Sequence, residues 1–149
     1  MRIAIGADHA GFELKARLIG VLERMCIPFD DVGTSSADSV DYPDFAAEVA
    51  RRVAGGRADC GILVCGTGIG MAIAANKVPG VRAAVVWNEE SARLSRAHND
   101  ANIMAVGGRT TRPTTAEAML RAFLDTPYEG GRHDRRLAKI GALEGRTPL

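Results

Sequence analysis

Long hydrophobic runs are missing from this chain: no apolar stretch approaches the ~20 residues that span a bilayer, so no membrane partner is expected. An excess of charge of either sign is also missing. Nineteen basic residues stand against eighteen acidic ones, a formal charge of +1, too little for bulk attraction to nucleic acid or an anionic bilayer. Cysteine is scarce and odd in number, three residues, which excludes a disulfide framework. The first residues reach an acid at Asp8 before any signal-like apolar run forms. Internal repeats and linkers are absent. These gaps leave a soluble, cytoplasmic globular protein as the expectation. Its 149 residues suit a single domain, 1–149, long enough to bury roughly 68–70% of its unfolded surface.

What is present is an alternation of short apolar runs with longer amphipathic ones. Residues 1–6, 28–32, Cys60–Cys65, 81–86 and 103–106 read as strands, and the third is apolar almost throughout, as a strand buried on both faces would be. Between them Leu14, Leu18, Val21, Leu22 and Met25 fall at i, i+4, i+7, i+8 and i+11, one stripe of a helix. Tyr42, Phe45, Ala46, Val49, Ala50 and Val53 repeat that stripe behind Pro43, which suits a first helical turn. A short helix is expected over 71–76. Asn88 caps another, with Glu89 and Glu90 at its positive end. Thr114 with Glu117 reads as a capping box for a fifth. The tail after Pro127 carries Arg132, Arg135, Arg136 and Lys139 and is expected as one last short helix. Alternation of this kind predicts an α/β fold of the Rossmann-like class: a five-stranded parallel sheet in flavodoxin-like order, helices on both faces, and a C-terminal helical arm.

In open α/β sheets ligands sit beyond the carboxyl ends of the strands. Three polar clusters are expected to meet there: Asp8 and His9 after the first strand, Cys65 with its glycine loop after the third, and His98 with Asn99 before the fifth. Gly66-Thr67-Gly68-Ile69-Gly70 exposes backbone N–H groups suited to a phosphate or a developing oxyanion; it also reads as a plain tight turn. Met71 stands where a dinucleotide fingerprint wants a third glycine, and no Lys-Ser/Thr follows as in a Walker loop. Cys65 directly precedes a helix N-terminus, which favours thiolate. Cys26 and Cys60 read as small buried apolar residues, and the Cys60–Cys65 spacing is not that of zinc ligands. Asp8 reads either as a reactive carboxylate or as the cap of the next helix. His98 lies near a helix C-terminus, where a protonated ring and a role as acid are favoured. Asn99 beside it can bind a sugar hydroxyl or merely end the helix. Arg132 and Arg136 share one helical face and suit a phosphate, although solvated surface charge is the usual reason for such a pair and, on these residues alone, the favoured one.

Taken together, six segments resemble the type B ribose-5-phosphate isomerases, a family that includes the galactose-6-phosphate isomerases. They are Gly6-Ala7-Asp8-His9-Ala10-Gly11-Phe12, Asp41-Tyr42-Pro43, Cys65-Gly66-Thr67-Gly68-Ile69-Gly70, Ala75-Asn76-Lys77, His98-Asn99-Asp100-Ala101-Asn102 and Tyr128-Glu129-Gly130-Gly131-Arg132-His133. The resemblance implies an aldose–ketose isomerase of the pentose phosphate pathway that uses no metal and no cofactor. By that likeness Cys65 is the base that moves a proton between C2 and C1 through a cis-enediolate. The N–H groups of Gly66, Gly68, Ile69 and Gly70 would hold the oxyanion, with Thr67 hydrogen-bonding nearby. His98 with Asp8 would open the furanose ring, Asn99 and Tyr42 would contact substrate, and His9, Arg109, Arg132 and Arg136 would take the phosphate. Some relatives place a glutamate base where Met71 stands, so the chain resembles the cysteine-dependent branch.

The likeness further implies a site between two subunits, in a homodimer or a dimer of dimers, with the arm at 128–149 packing on the partner. Ribose 5-phosphate is the expected substrate, allose 6-phosphate or galactose 6-phosphate the alternative. Trp87 would wall the sugar pocket or pack between helices. Outside this family, a nucleotide-binding module built on the glycine loop is the rival reading, with Glu89 about twenty residues on as its ribose ligand. A phosphoacceptor switch domain would need an aspartate where Cys65 stands.

Overall fold

Strands that are apolar on both faces must lie inside a sheet covered on both sides, and three strands here meet that description. The computed structural model, which describes residues 1–145, places β1 (Ile3–Ala7), β3 (Cys60–Cys65) and β5 (Ile103–Gly107) side by side, every residue buried. The three-residue strands β2 (Phe29–Asp31) and β4 (Ala83–Val85) form the edges. All pairings are parallel, in the order β2-β1-β3-β5-β4. The β2-β1-β3 half follows the flavodoxin-like arrangement, while β4 and β5 exchange places relative to the usual 2-1-3-4-5 sequence.

That exchange decides which face each helix covers, because right-handed crossovers put the helix on one side when the chain steps one way and on the other when it steps back. α1 (Phe12–Arg24), α4 (Glu89–Asn99) and α5 (Pro113–Asp125) cover one face, where Leu18, Leu22, Met119 and Phe123 pack on Ile5, Ile62 and Met104. α2 (Tyr42–Ala54) and α3 (Ile69–Ala75) cover the other, with Val49, Ala50 and Met71 against Ala4, Leu63 and Ile103. Each fully buried Leu, Ile, Val, Met or Phe here contributes about 1.5–3 kcal/mol. α6 (Arg132–Glu144) follows and buries only His133.

Local signals account for most of the boundaries. Asn88 accepts a hydrogen bond from the Ser91 N–H at 2.7 Å while the Ser91 hydroxyl accepts from the Asn88 N–H at 3.1 Å, a complete capping box. α5 corrects the reading of Thr114 and Glu117. It starts earlier, with Arg112 as N-cap and Pro113 in its first turn. Glu117 turns away to pair with Arg17 and Arg24 on α1. α3 begins at Ile69 rather than 71, because Gly68 takes a left-handed φ of 81° as its N-cap. Of the arm expected over 128–149, the last four residues lie outside the described residues. No helix of the described residues is long and apolar enough to cross a membrane.

Candidate active site

Three strand ends and the loops after them converge at the carboxyl edge of the sheet. At the end of β1, Asp8 is 6% exposed and accepts the Gly11 N–H at 3.0 Å, so it does secure the turn into α1. His9 follows, with Nδ1 accepting the Val40 N–H at 3.2 Å. In the neutral ring this leaves Nε2 as the N–H donor. His9 lines a hollow of about 330 Å³ shared with Glu13, Arg17 and Gly108.

Beside it β3 ends at Cys65, buried and paired in register with Gly107. Its Sγ accepts the Gly68 N–H at 3.1 Å, so the glycine loop aims an amide at the sulfur. The left-handed φ of Gly68 makes this possible, and a Cβ there would meet the Val106 backbone at 3.0 Å. Arg109 joins from the loop after β5: its N–H donates to the Gly66 carbonyl at 3.0 Å, and its guanidinium lies over Gly66. Tyr42, at the start of α2, lays its ring on Gly70. Thr67 and Ile69 are exposed at the rim, and the Thr67 hydroxyl accepts the Ile69 N–H at 3.3 Å. A thiol, a fan of amides, a carboxylate, an imidazole and a guanidinium thus share one edge.

A second cluster forms at the opposite, amino edge. α4 starts at the carboxyl end of β4 and runs back against the strand direction, so its last turn arrives where β4 and β5 begin. The Asn99 carbonyl there accepts from Arg82, the residue before β4, at 3.0 Å. His98 stacks on His133 of α6, with ring centroids 4.4 Å apart and 18° between planes. Glu129 Oε2 stands 3.8 Å from His98 Nε2 and 3.7 Å from His133 Nε2. Burial, with the charges of His98, Arg132 and Arg136, pushes the His133 imidazole below its ordinary range, against the pull of Glu129. Arg132 and Arg136 are exposed and make no ion pair among the described residues.

A family model described as Ribose/Galactose Isomerase matches residues 3–140. The chain belongs to that family. Ribose-5-phosphate isomerase B of Escherichia coli (strain K12) is 47% identical over 145 residues, 97% of each chain. The solved structure of Clostridium thermocellum ribose-5-phosphate isomerase B is similar with a TM-score of 0.96 at 48% identity, covering 97% of each chain. That of Mycoplasma genitalium ribose-5-phosphate isomerase B with bound ribulose-5-phosphate gives 0.94 at 40% identity, over 98% of this chain and 97% of that one.

Set against the sequence reading of this isomerase-family chain, Asp8, His9, Tyr42, Cys65, Gly66, Thr67, Gly68, Ile69, Gly70 and Arg109 come together at one edge. His98, Asn99, Arg132 and Arg136 do not join them. The six residues of β3, a rise of about 3.3 Å for each step between neighbours, put roughly 16 Å between the two edges of one protomer. The expected meeting of all three clusters in one chain is therefore corrected. Cys26 is corrected too: it is exposed just past α1, at a left-handed φ of 55°. Cys60 is buried as expected, and burial pushes its thiol up. Trp87 does not pack between helices; it is 70% exposed. Glu129 and His133 carry no role in the sequence expectations, although their spacing of four across Gly130 and Gly131 is a usable sign.

Proposed function

We propose that this chain interconverts D-ribose 5-phosphate and D-ribulose 5-phosphate, with each reacting centre assembled from two copies of the chain. The substrate is taken from the named relatives. The observation that carries the reaction class is the Gly68 N–H held on Cys65 Sγ at 3.1 Å, inside a fan of loop amides. Isomerisation of an aldose needs one base at a carbon acid, preorganised donors for an enediolate, and an anion anchor away from the reacting carbon. The carboxyl edge offers the first two and, in His9 and Arg109, part of the third.

In the proposed sequence His98, with Asp8, moves a proton from the anomeric hydroxyl to the ring oxygen, and the furanose opens to the aldehyde. The Cys65 thiolate takes the proton from C2. Charge collects on O1 of the cis-enediolate, where the N–H groups of Gly66, Gly68, Ile69 and Gly70 stabilise it, with Thr67 beside them. Cys65 returns the proton to C1 as the O2 proton passes to O1, giving the ketose. No electron leaves the substrate, so the balance calls for no redox cofactor. Tyr42 and Asn99 contact the sugar. His9, Arg109, Arg132 and Arg136 hold the phosphate.

The opposite placement of Cys65 and His98 supports a homodimer or dimer of dimers in which His98, Asn99, Arg132 and Arg136 come from the partner. The exposed Ile69 and Ile73 on α3, and Ile140 and Leu143 on α6, offer apolar surface for that contact. In this reading residues 1–149 act as one isomerase domain whose arm, 128–149, packs on the partner subunit. The three cysteines are free thiols, which suits a cytoplasmic enzyme.

A coupled assay with ribose 5-phosphate, allose 6-phosphate and galactose 6-phosphate, run beside Cys65→Ala, tests the proposal. Turnover of the pentose should fall about 10²–10⁴-fold in the variant, with thermal melting unchanged. Retention of the full rate would remove Cys65 as the base. A preference for either hexose would reassign the substrate.

A further inference from the structure

His98, Glu129 and His133 converge without a hydrogen bond among them. One donor atom from each lies within 4.8 Å of the other two, and the Glu129 Oε2 distances of 3.8 and 3.7 Å to the two Nε2 atoms are too long for hydrogen bonds. His133 is 5% exposed, yet its Nε2 has no hydrogen-bond partner among the described residues. A buried ring nitrogen in that state lacks a hydrogen-bond partner or a cation. Glu129 is the nearest candidate, and at 3.7 Å its carboxylate stands beyond hydrogen-bond reach of that nitrogen.

We infer that His98, Glu129 and His133 form a binding site for a divalent transition metal, zinc being the ion that suits it best, and that filling the site withdraws His98 from the isomerisation. Two imidazoles and one carboxylate are a zinc ligand set that leaves a fourth position open. The two rings stack at 18°, so one of them turns to bring both nitrogens onto a shared cation at the roughly 2.0–2.1 Å that zinc keeps to imidazole nitrogen. Imidazole donors also disfavour magnesium and calcium, which take oxygen. The ligands are well mounted. His98 belongs to a helix locked by the Asn88–Ser91 box, and the Tyr128 hydroxyl donates to Asp134 at 2.8 Å, fixing the turn that carries Glu129 and His133.

The second half of this inference rests on the role proposed above for His98; the first half does not. The reaction as proposed uses no metal, so zinc would act against turnover. An isomerase drawing on this site would slow where free zinc rises and recover where it is chelated.

The test uses the full-length protein, stripped with chelator and titrated with zinc against a chromophoric competitor, and in parallel with cobalt(II) for its visible spectrum. One zinc per chain at micromolar affinity or tighter is expected, with four-coordinate cobalt bands and no thiolate charge-transfer band. Glu129→Gln and His133→Gln should each weaken binding at least about tenfold. Millimolar magnesium should not compete. Absence of binding, undiminished binding in both variants, or a thiolate band would overturn the site. Glu129 is exposed, so its variant keeps the test valid if His133→Gln fails to fold. Zinc at saturation should then inhibit ribose 5-phosphate turnover reversibly, and Glu129→Gln should keep a larger share of its own activity at the same zinc. Stoichiometric binding without inhibition would leave the metal site standing and overturn its link to His98.

Discussion

Tyr42 is seated directly on Gly70: a Cβ at residue 70 would lie 2.7 Å from Tyr42 Cζ and 3.0 Å from its hydroxyl. The contact ties the start of α2 to the first turn of α3, and so sets where the Tyr42 hydroxyl stands relative to the glycine loop. Gly70→Ala should push the ring outward, lower kcat/KM for ribose 5-phosphate, and cost about 1–3 kcal/mol through overpacking. Adding Tyr42→Ala should relieve the clash, so the double variant should be more stable than the two single effects summed. Urea melts of the three variants decide it, and simple additivity would show that the ring yields freely.

Lys15 is a buried cation, 2% exposed. Its Nζ donates to Asp31 at 2.6 Å and to the Thr34 carbonyl at 2.6 Å. The pair fastens α1 to the segment after β2, whose backbone in turn bonds Ala7 at the end of β1. Removing Asp31 strands the buried Lys15 charge, whereas replacing Lys15 leaves an Asp31 carboxylate that is 39% exposed and open to water. Asp31→Ala should therefore cost about 3 kcal/mol, tempered by the partial exposure of Asp31. Lys15→Met should cost about 1 kcal/mol, mostly for the orphaned Thr34 carbonyl. Equal losses in denaturant unfolding would contradict this account.

Tyr128 gives a pH dependence with a definite sign. Burial, followed by the hydrogen bond to Asp134 and the charge of that carboxylate, raises its phenol from 10.0 to about 12. The folded protein therefore keeps a proton that the unfolded chain releases near pH 10. Stability from this group is complete below pH 10 and declines as the pH climbs from there toward 12. Tyr128→Phe should remove that share of the alkaline decline, seen as a melting temperature that falls less between pH 9 and 11. Parallel curves for the two proteins would mean that Tyr128 titrates alike in both states.

Periodicity made the helices legible. Leu14–Leu22 and Ala46–Val53 of the two stripes are the faces that α1 and α2 bury, while Tyr42 stays exposed and Met25 caps α1, and the all-apolar Cys60–Cys65 is the central strand. What periodicity does not encode is order within the sheet. Both β4 and β5 are apolar, and only the crossover geometry puts β5 inside and β4 at the edge. Direction was equally hidden. His98 precedes β5 in sequence, so its helix has already returned to the amino edge, away from Cys65. Long-range pairs such as Glu117 with Arg17 leave no local sign, and the capping-box pattern at Thr114 lost to Pro113 and to that pair.

The separation of Cys65 from His98 within one protomer makes the two-copy site testable by mixing inactive proteins. Cys65→Ala lacks the proposed base and His98→Asn the proposed ring-opening group, so each alone should be inactive on ribose 5-phosphate. In a dimer formed from one of each, one site carries both lesions and the other carries neither. Random reassortment puts half the chains in such mixed dimers, each with one intact site, so activity should return to about a quarter of the wild-type value. The appearance of activity should follow subunit exchange and depend on protein concentration, which separates it from traces of wild type. If both groups acted from one chain, every site in every dimer would contain a lesion and no activity would return.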